Sequence, residues 1–261
     1  MFKKQCIAMV LGFIGISSAW AEQGQTLRIG IEGEYPPFSA VNEQGELYGF
    51  DVEIAKALCV QMQKDCTLVQ ISWDAMIPSL KTNKIDAIVA SMSATDERRQ
   101  SVDFTDKYYS SYGKLVLKDS LAGQINSDNW QEKLQSITLG VQRATIHDRF
   151  ASEKLKNIVG EIRQYNTQDE VNLDLISGRI DATLADTIAL ITGFLETDMG
   201  KGYAFAEPVF DDPAYYGEGV SIVIRKNEEA LKQAFNQAIQ EIRANGVYQT
   251  INDKYFNVDI Y

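Results

Sequence analysis

Histidine is almost absent from the 261-residue sequence, which contains only His147. A single histidine leaves at most one candidate member for a histidine-based catalytic triad or a histidine-rich metal site. No predicted strand is followed by a Gly-x-Ser-x-Gly elbow, a Walker loop or a Gly-x-Gly-x-x-Gly fingerprint; Gly217-Glu218-Gly219 lacks the third glycine and precedes a strand. We therefore expect that the protein is not an enzyme and that it binds no cofactor or metal. We expect His147 to be a surface or helix-end residue.

Long apolar runs are absent after the first 21 residues. Lys3 and Lys4 precede "CIAMVLGFIGISS", an apolar segment too short to span a membrane comfortably, and Ala19-Trp20-Ala21 has small residues at the positions that a signal peptidase reads. We predict a signal peptide over residues 1–21, cleaved after Ala21, and export of the mature chain. A transmembrane anchor is the alternative. Cys6 precedes the apolar run instead of following it, which disfavours a lipoprotein.

Cysteine is also scarce. Cys6 leaves with the predicted signal peptide, so only Cys59 and Cys66 remain in the exported chain. Two thiols this close are expected to pair in an oxidising compartment, and closing so short a loop contributes about 2–3 kcal/mol. The spacing is not Cys-x-x-Cys, and two ligands alone do not hold a metal, so redox catalysis and metal binding are weaker interpretations.

Positive charge is in deficit, with 25 Lys and Arg against 36 Asp and Glu. Removal of a signal peptide with two lysines and no acidic residue takes the formal net charge from −11 to −13. An acidic surface argues against binding to nucleic acid or anionic lipid, and it weakly favours cationic ligands. The same charge also serves solubility, so it does not identify a ligand by itself.

The first part of the mature chain alternates predicted strands and helices. "TLRIGI" (Thr26–Ile31), "CTLVQI" and "IDAIVAS" indicate strands, and the first and last are nearly continuous apolar runs, as a parallel sheet covered on both faces requires. "VEIAKALCVQM" has apolar residues at helical spacing, and "AMIPSLKTN" predicts a helix that begins near Pro78. We predict Asp51 as the N-cap of the first of these helices.

The second part of the chain starts the pattern again. "SITLGVQ" and "EIRQY" indicate strands, and "TIHDRFASEKL" indicates a helix between them. Thr167-x-x-Glu170 is a capping box that opens the helix "QDEVNLDLIS", and Gly178 follows that helix as its C′ residue. A strand "RIDATLAD" and a helix "TIALITGFLET" complete the series.

Two octapeptides occupy equivalent places in the two series. "KIDAIVAS" (84–91) and "RIDATLAD" (179–186) agree in a buried-strand pattern and differ at the last residue, Ser91 or Asp186. We therefore predict an α/β protein of two similar lobes. The final strand "GVSIVIRK" and amphipathic helix "EEALKQAFNQAIQEIRANG" do not fit lobe 2, so we assign residues 22–111 and 209–261 to lobe 1 and 112–208 to an inserted lobe 2. Two crossing segments then form a hinge.

Five segments carry a family resemblance: "YPPFS", "GFDVEIAKALC", "WDAMIPSLKTNKIDAIVASMSATDERRQSVDFTDKYY", "GRIDATLAD" and "YYGEGVSIVIRKN". In this order they span the mature chain, which resembles the periplasmic polar-amino-acid-binding proteins of ABC importers (solute-binding protein family 3). The likeness is greatest to the arginine- and lysine/arginine/ornithine-binding members. It implies a periplasmic-binding-protein-like fold and a short-range disulfide like Cys59–Cys66.

The resemblance also implies a set of ligand-binding positions. An α-amino acid presents a carboxylate, an ammonium and a side chain, and a buried site must satisfy all three. The ligand-binding residues expected on this basis are Glu32, Tyr35, Trp73, Ser91, Met92, Ser93, Arg98, Gln142, Thr145, Ile146 and Asp186.

Arg98 is the residue that the family motif assigns to the ligand carboxylate, which a guanidinium clamps with two parallel hydrogen bonds. Arg98 stands just inside a helix opened by Thr95-Asp96, and Arg99 beside it should face elsewhere. Thr145 and Ile146 begin a helix of lobe 2, where backbone N–H groups add to the carboxylate site.

Asp186 is the residue that the family uses for the ligand ammonium, and capping of the following helix is its structural alternative. Ser91 and Ser93 end the matching strand and supply a backbone carbonyl and a hydroxyl. Glu32 would neutralise a distal cationic group, and Tyr35 and Trp73 would stack on it.

Two departures from the family leave the fine specificity open. Ala90 stands where lysine/arginine/ornithine binders have a serine, and Gln142-Arg143-Ala144-Thr145 replaces a more glycine-rich loop. Arg143 would repel a cation if it pointed inward. We expect a monomer that delivers L-arginine to an inner-membrane ABC permease. Binding of glutamine, histidine or another polar amino acid, and a periplasmic dehydratase on the same fold, are the alternatives.

Overall fold

The structure is a computed structural model that describes residues 26–261. The predicted signal peptide and its cleavage after Ala21 lie outside the described residues. Within residues 26–261, no helix is long and apolar enough to cross a lipid bilayer.

The strands form the sheets of the molecule. They are β1 Leu27–Ile31, β2 Glu34–Tyr35, β3 Ser39–Val41, β4 Leu47–Tyr48, β5 Cys66–Gln70, β6 Ala87–Ile88, β7 Asp103–Tyr109, β8 Gly113–Lys118, β9 Thr138–Gln142, β10 Glu161–Tyr165, β11 Ala182–Asp186, β12 Tyr203–Phe210 and β13 Val220–Ile224. Every strand that the sequence predicted is present, although "IDAIVAS" contributes only the two residues of β6.

Helices cover the sheets. They are α1 Phe50–Gln61, α2 Met76–Lys81, α3 Asp96–Arg99, α4 Asp119–Ala122, α5 Trp130–Lys133, α6 Ile146–Phe150, α7 Gln168–Ile176, α8 Thr187–Leu190, α9 Pro213–Tyr216, α10 Glu229–Ala244 and α11 Val247–Tyr255. Short π-helical segments, Ala151–Leu155 and Ile191–Leu195, continue α6 and α8. The predicted capping box is confirmed: Thr167 caps α7 and Glu170 bonds back.

Two five-stranded sheets of the same plan form two lobes. Lobe 1 has the order β5-β1-β6-β13-β7, with β1 parallel to β5 and β6 and β13 antiparallel to its neighbours. Lobe 2 has the order β10-β9-β11-β8-β12, with β9 parallel to β10 and β11 and β8 antiparallel to its neighbours. The two-lobed α/β prediction is confirmed.

The chain passes between the sheets twice. It leaves lobe 1 after Tyr109 and enters lobe 2 at Gly113, and it returns between Phe210 and Val220. Lobe 2 is therefore inserted into lobe 1, and α10 and α11 pack on lobe 1. The exact residue boundaries of the lobes stay predictions.

Each sheet is buried on both faces. In β13, Ile222 faces the core beneath α1 and α10, whereas Val223 faces the core around Met76. In β11, Leu184 and Ala185 divide between two cores of lobe 2 in the same way. This alternation follows from the period of two along a strand, and it explains why these strands are apolar throughout.

Equivalent side chains fix the corresponding strands of the two lobes. Ile85 packs over Gly30 of β1, and Ile180 packs over Gly140 of β9; a Cβ on either glycine would lie within 2.6 Å of the isoleucine Cδ1. Both isoleucines are buried. The Ile of each "IDA" sequence therefore needs a glycine on the adjacent strand.

The aspartates of the two "IDA" sequences also have equivalent roles. Asp86 accepts from the backbone N–H of Arg28 at 3.0 Å and donates its own N–H to the Arg28 carbonyl at 2.7 Å. Asp181 exchanges the same two bonds with Thr138, at 2.8 and 2.9 Å. The shared octapeptide pattern thus fixes the start of the central strands in each lobe.

A disulfide joins Cys59 of α1 to Cys66 of β5, as predicted. The prediction for Asp51 is wrong. Gly49 is the N-cap of α1, and Asp51 lies in the first turn with its side chain fully buried. Its carboxylate is unavailable for capping because it accepts hydrogen bonds from Ser91 and Tyr108.

Candidate functional site

A cavity lies between the two lobes, where the central strands of both sheets end. Ten of the eleven predicted ligand-binding residues line it. The lining residues are Glu32, Tyr35, Trp73, Ser91, Ser93, Arg98, Gln142, Thr145, Ile146, His147, Gln168, Leu184 and Asp186. The space between the protein atoms is about 470 Å³, part of which opens to solvent. Met92 is the exception, because its side chain is buried in the core of lobe 1.

Glu32 and Gln142 meet across the cavity from equivalent positions. Glu32 follows β1 directly and Gln142 ends β9, each two residues after the glycine that packs against an "IDA" isoleucine. Gln142 Nε2 donates to Glu32 Oε1 at 2.6 Å and to the Asn166 carbonyl at 3.2 Å. Both neighbours are acceptors, so the amide nitrogen is the end of Gln142 that bridges the lobes.

The Glu32 end of the cavity is strongly acidic. Burial, helped by the nearby carboxylates of Glu34, Asp51 and Asp169 and opposed by the hydrogen bond from Gln142, raises the pKa of the Glu32 carboxyl to about 7. No salt bridge engages Glu32 within residues 26–261. A cation placed here would stabilise the ionised form.

Asp186 brings a second buried carboxylate to the cavity from lobe 2. Its Oδ1 accepts from the backbone N–H groups of Ile188 and Ala189 at 2.9 and 3.2 Å, which makes Asp186 the N-cap of α8. Burial raises the pKa of Asp186 to about 6, although these hydrogen bonds oppose the rise. Asp186 therefore caps a helix and lines the cavity at once.

Arg98 provides the positive charge of the site. Thr95 caps α3 through its side chain, and Arg98 reaches from this helix to donate to the carbonyls of Ser93 at 3.1 Å and Ala144 at 3.4 Å. Burial lowers the pKa of Arg98 to about 10, so the guanidinium remains charged at neutral pH. Arg99 faces elsewhere, as expected, and lies over the Phe104 ring.

The two aromatic residues occupy different positions. Tyr35 is buried and stacks on Phe38, with ring centroids 5.8 Å apart. Trp73 is only partly buried; it lies 5.4 Å from the Arg98 guanidinium and donates through Nε1 to the Ala144 carbonyl of lobe 2 at 3.0 Å.

Thr145 and Ile146 form the lobe 2 wall opposite Arg98. Thr145 is the N-cap of α6; its hydroxyl accepts from the Asp148 N–H at 3.1 Å and donates to the Gln142 carbonyl at 2.7 Å. Arg143, in the same loop, points away from the cavity and forms an ion pair with Asp74 of lobe 1 at 2.6 Å. The repulsion considered for an inward Arg143 therefore does not arise.

His147, Gln168 and Leu184 line the cavity without having been predicted to do so. His147 was predicted to be a surface or helix-end residue. It lies in the first turn of α6, but it is not a surface residue, because its side chain is buried and its ring packs edge-on against Tyr216 with centroids 5.6 Å apart. Burial, together with the charge of Arg98, lowers the pKa of His147 to about 3. With the imidazole neutral, Arg98 is the one cationic side chain among the described residues that line the cavity.

The arrangement of charges matches one kind of molecule. One guanidinium and two buried carboxylates line the same cavity, so the cavity complements a ligand with one anionic group and two cationic groups. Tyr35, Trp73, Ile146 and Leu184 add aromatic and apolar side chains to the lining, which suits an aliphatic chain.

Residues 27–258 match the bacterial extracellular solute-binding proteins, family 3. An L-arginine-binding protein of Pseudomonas aeruginosa is 45% identical over 97% of this chain and 96% of its own length. A histidine-binding periplasmic protein of Escherichia coli is 40% identical over 98% of this chain and 96% of its own length.

Solved structures give the same result. A Salmonella typhimurium periplasmic binding protein of high arginine specificity superposes with a TM-score of 0.80 at 29% identity, covering 89% of this chain and 100% of the other. An ancestral arginine-binding protein bound to arginine superposes with a TM-score of 0.78 at 28% identity, covering 89% and 98%. This chain is a member of the family 3 bacterial extracellular solute-binding proteins.

Proposed function

We propose that this protein captures L-arginine, or a related cationic amino acid, between its two lobes in the periplasm and delivers it as a monomer to an inner-membrane ABC permease. The observation that carries the proposal is that Arg98 and the two buried carboxylates Asp186 and Glu32 line the same cavity between the lobes. The 45% identity to an L-arginine-binding protein over nearly the whole chain supports it.

Each part of the ligand has a residue that fits it. Arg98 and the start of α6 take the α-carboxylate, since a guanidinium forms paired hydrogen bonds with a carboxylate. Asp186 takes the α-ammonium, with Ser93 as a further acceptor. Glu32 takes the distal cation, whose burial without a counter-charge is strongly unfavourable.

Lobe closure completes the site. Residues of both lobes line the cavity, and contacts such as Trp73 to Ala144 and Gln142 to Glu32 cross between them. A ligand that contacts both lobes stabilises the closed arrangement by its differential affinity for it, which is a hinge mechanism.

Histidine is the second candidate ligand, because a histidine-binding relative is 40% identical. Its imidazole carries less charge at neutral pH than a guanidinium and leaves Glu32 less well neutralised. An ancestral amino-acid-binding protein that preceded cyclohexadienyl dehydratase shares the fold, with a TM-score of 0.76 at 27% identity. For this chain we propose binding without turnover.

Calorimetric titration with the twenty amino acids tests the proposal. The protein is first unfolded and refolded to remove bound ligand. We expect one arginine per chain with a Kd in the micromolar range or below, weaker lysine, ornithine and histidine, and no binding of glutamate. Prephenate should remain unchanged on incubation. Absence of arginine binding, or product formation from prephenate, would overturn the proposal.

A further inference from the structure

Asp51 lies directly behind the cavity and does not line it. It stands in the first turn of α1 with a fully buried side chain, whereas Ser91 follows β6 and lines the cavity. The Ser91 hydroxyl donates to Asp51 Oδ2 at 2.9 Å. A buried carboxylate that contacts a cavity-lining side chain from the rear needs an explanation, because burying such a group is unfavourable unless its bonds are used.

Tyr108 closes the contact between Asp51 and Ser91 into a ring. The Tyr108 hydroxyl donates to Asp51 Oδ1 at 2.8 Å and accepts from the Ser91 backbone N–H at 3.2 Å. Ser91 has a φ of 54°, a left-handed conformation that non-glycine residues adopt only when their surroundings enforce it. The ring therefore holds both the backbone and the side chain of Ser91.

The ring also determines the direction of its hydrogen bonds. An ionised carboxylate only accepts, so both hydroxyls must give their protons to Asp51. A serine hydroxyl has one proton and two lone pairs. With that proton directed inward, the Ser91 oxygen has only acceptor capacity left for the cavity.

We propose that Asp51 is a positioning residue for ligand binding, which acts through Ser91 by making its hydroxyl oxygen an acceptor for an N–H group of the ligand. The inference rests on the proposed function, because an amino acid with a distal cation offers N–H donors at both ends. Burial raises the pKa of Asp51 to about 7 while the hydrogen bonds from Tyr108 and Ser91 lower it, so Asp51 is mostly ionised at pH 8.

A double-mutant cycle on the full chain at pH 8 tests the inference, with L-arginine as the titrant. Asp51→Asn and Ser91→Ala should each weaken arginine binding about tenfold, the size of one hydrogen bond to a charged group. The double variant should also lose about tenfold, because both changes remove the same acceptor. A merely structural role of Asp51 would not produce this coupling. Asp181→Asn, whose carboxylate bonds the Thr138 N–H away from the cavity, is the control and should bind arginine like the wild type.

The arginine affinities of Asp51→Asn and of the double variant decide whether the inference holds. A loss of about a hundredfold in the double variant, or wild-type affinity in Asp51→Asn, overturns the inference. If Asp51→Asn does not fold, Tyr108→Phe replaces it in the cycle. Tyr108→Phe should weaken arginine binding about threefold in the wild-type background and not at all in the Ser91→Ala background. The same loss of affinity in both backgrounds would overturn the inference. Absence of arginine binding by the wild type overturns the proposed function, whereas wild-type binding with independent losses overturns this inference alone.

Discussion

The strands that end in Ser91 and Asp186 are built alike and differ in where the negative charge lies. Each carries an "IDA" sequence whose Ile packs on a glycine and whose Asp bonds the neighbouring strand. In lobe 1 the charge is Asp51, one layer behind Ser91. In lobe 2 the charge is Asp186 itself, at the cavity.

This difference distinguishes the residues that fix the strands from the residues that line the cavity. The repeated residues fix the strands and do not line the cavity. The residues that differ lie at the strand ends, where open α/β sheets bind ligands. Glu32 and Gln142 show the same division, since equivalent positions carry a carboxylate in one lobe and an amide in the other.

The largest effect is expected at the charged strand end. Asp186→Ala should weaken arginine binding by about a thousandfold, because an ammonium buried without its partner is strongly unfavourable. Ser91→Ala should weaken arginine binding only about tenfold. Calorimetry on both variants measures the contrast, and similar losses would show that the two strand ends are not functionally distinct.

Acidic pH should weaken arginine binding through the two buried carboxylates that line the cavity. Burial raises the pKa of Glu32 to about 7 and that of Asp186 to about 6, and a cation requires both to be ionised. Arginine affinity should therefore fall by about a thousandfold between pH 8 and pH 5. Affinity independent of pH over this range would contradict the assignment.

The ligand-free protein should show the opposite trend with pH. A carboxyl whose folded pKa is raised keeps its proton in the folded state after the unfolded chain has released it. The free energy of unfolding should then decrease as pH rises from about 5 to 7, which urea denaturation at several pH values measures.

Glu32→Gln should change the specificity more than the fold. We expect arginine binding to weaken about thirtyfold and glutamine binding to change less than threefold, because only the cation loses its counter-charge. Titration with both ligands decides this, and equal losses for the two would show that Glu32 does not face the distal group.

Gly193→Ala should hinder contact between the lobes. A Cβ at Gly193 in lobe 2 would lie 2.5 Å from the Pro36 carbonyl oxygen in lobe 1, whereas one at Gly123 meets nothing closer than 3.5 Å. We expect about tenfold weaker arginine binding in Gly193→Ala and no change in Gly123→Ala. Calorimetry on both variants checks this, and identical behaviour would show that close approach at Gly193 is not needed.

The smallest effect on binding is expected at the disulfide. Replacing Cys59 and Cys66 together by serine should lower the free energy of unfolding by about 2–3 kcal/mol, and arginine affinity should stay within twofold. Denaturant titration and calorimetry measure the two quantities. A large loss of affinity would mean that this part of lobe 1 is coupled to the cavity.

Much of the fold was predictable because periodicity and capping are local. The strands, the α7 capping box and the repeat of "IDA" could be predicted from residues close in the sequence. Together they predicted two lobes. The extent of β6 could not be predicted in this way, since only Ala87 and Ile88 pair with neighbouring strands. The positions of π-helical turns after α6 and α8 also depend on packing beyond the local sequence.

The site was predictable where a family motif carried it and unpredictable where a side chain turns inward. Asp51 looked like a helix cap, because an aspartate at the start of an apolar helix usually caps it. His147 was predicted as a surface or helix-end residue, and its burial was missed because nothing local indicates that Tyr216 of a distant segment covers it. The contact of Glu32 with Gln142 joins residues 110 positions apart, so only the assembled lobes define it.

The most direct test asks whether Asp186 binds the ligand ammonium. It compares the affinities of the wild type and of Asp186→Asn for L-arginine and for its des-amino analogue, 5-guanidinopentanoate. The wild type should prefer arginine by at least about a hundredfold, since only arginine has an ammonium for Asp186. Asp186→Asn should lose most of this preference, while binding of the analogue changes little. An undiminished preference in Asp186→Asn would contradict the account.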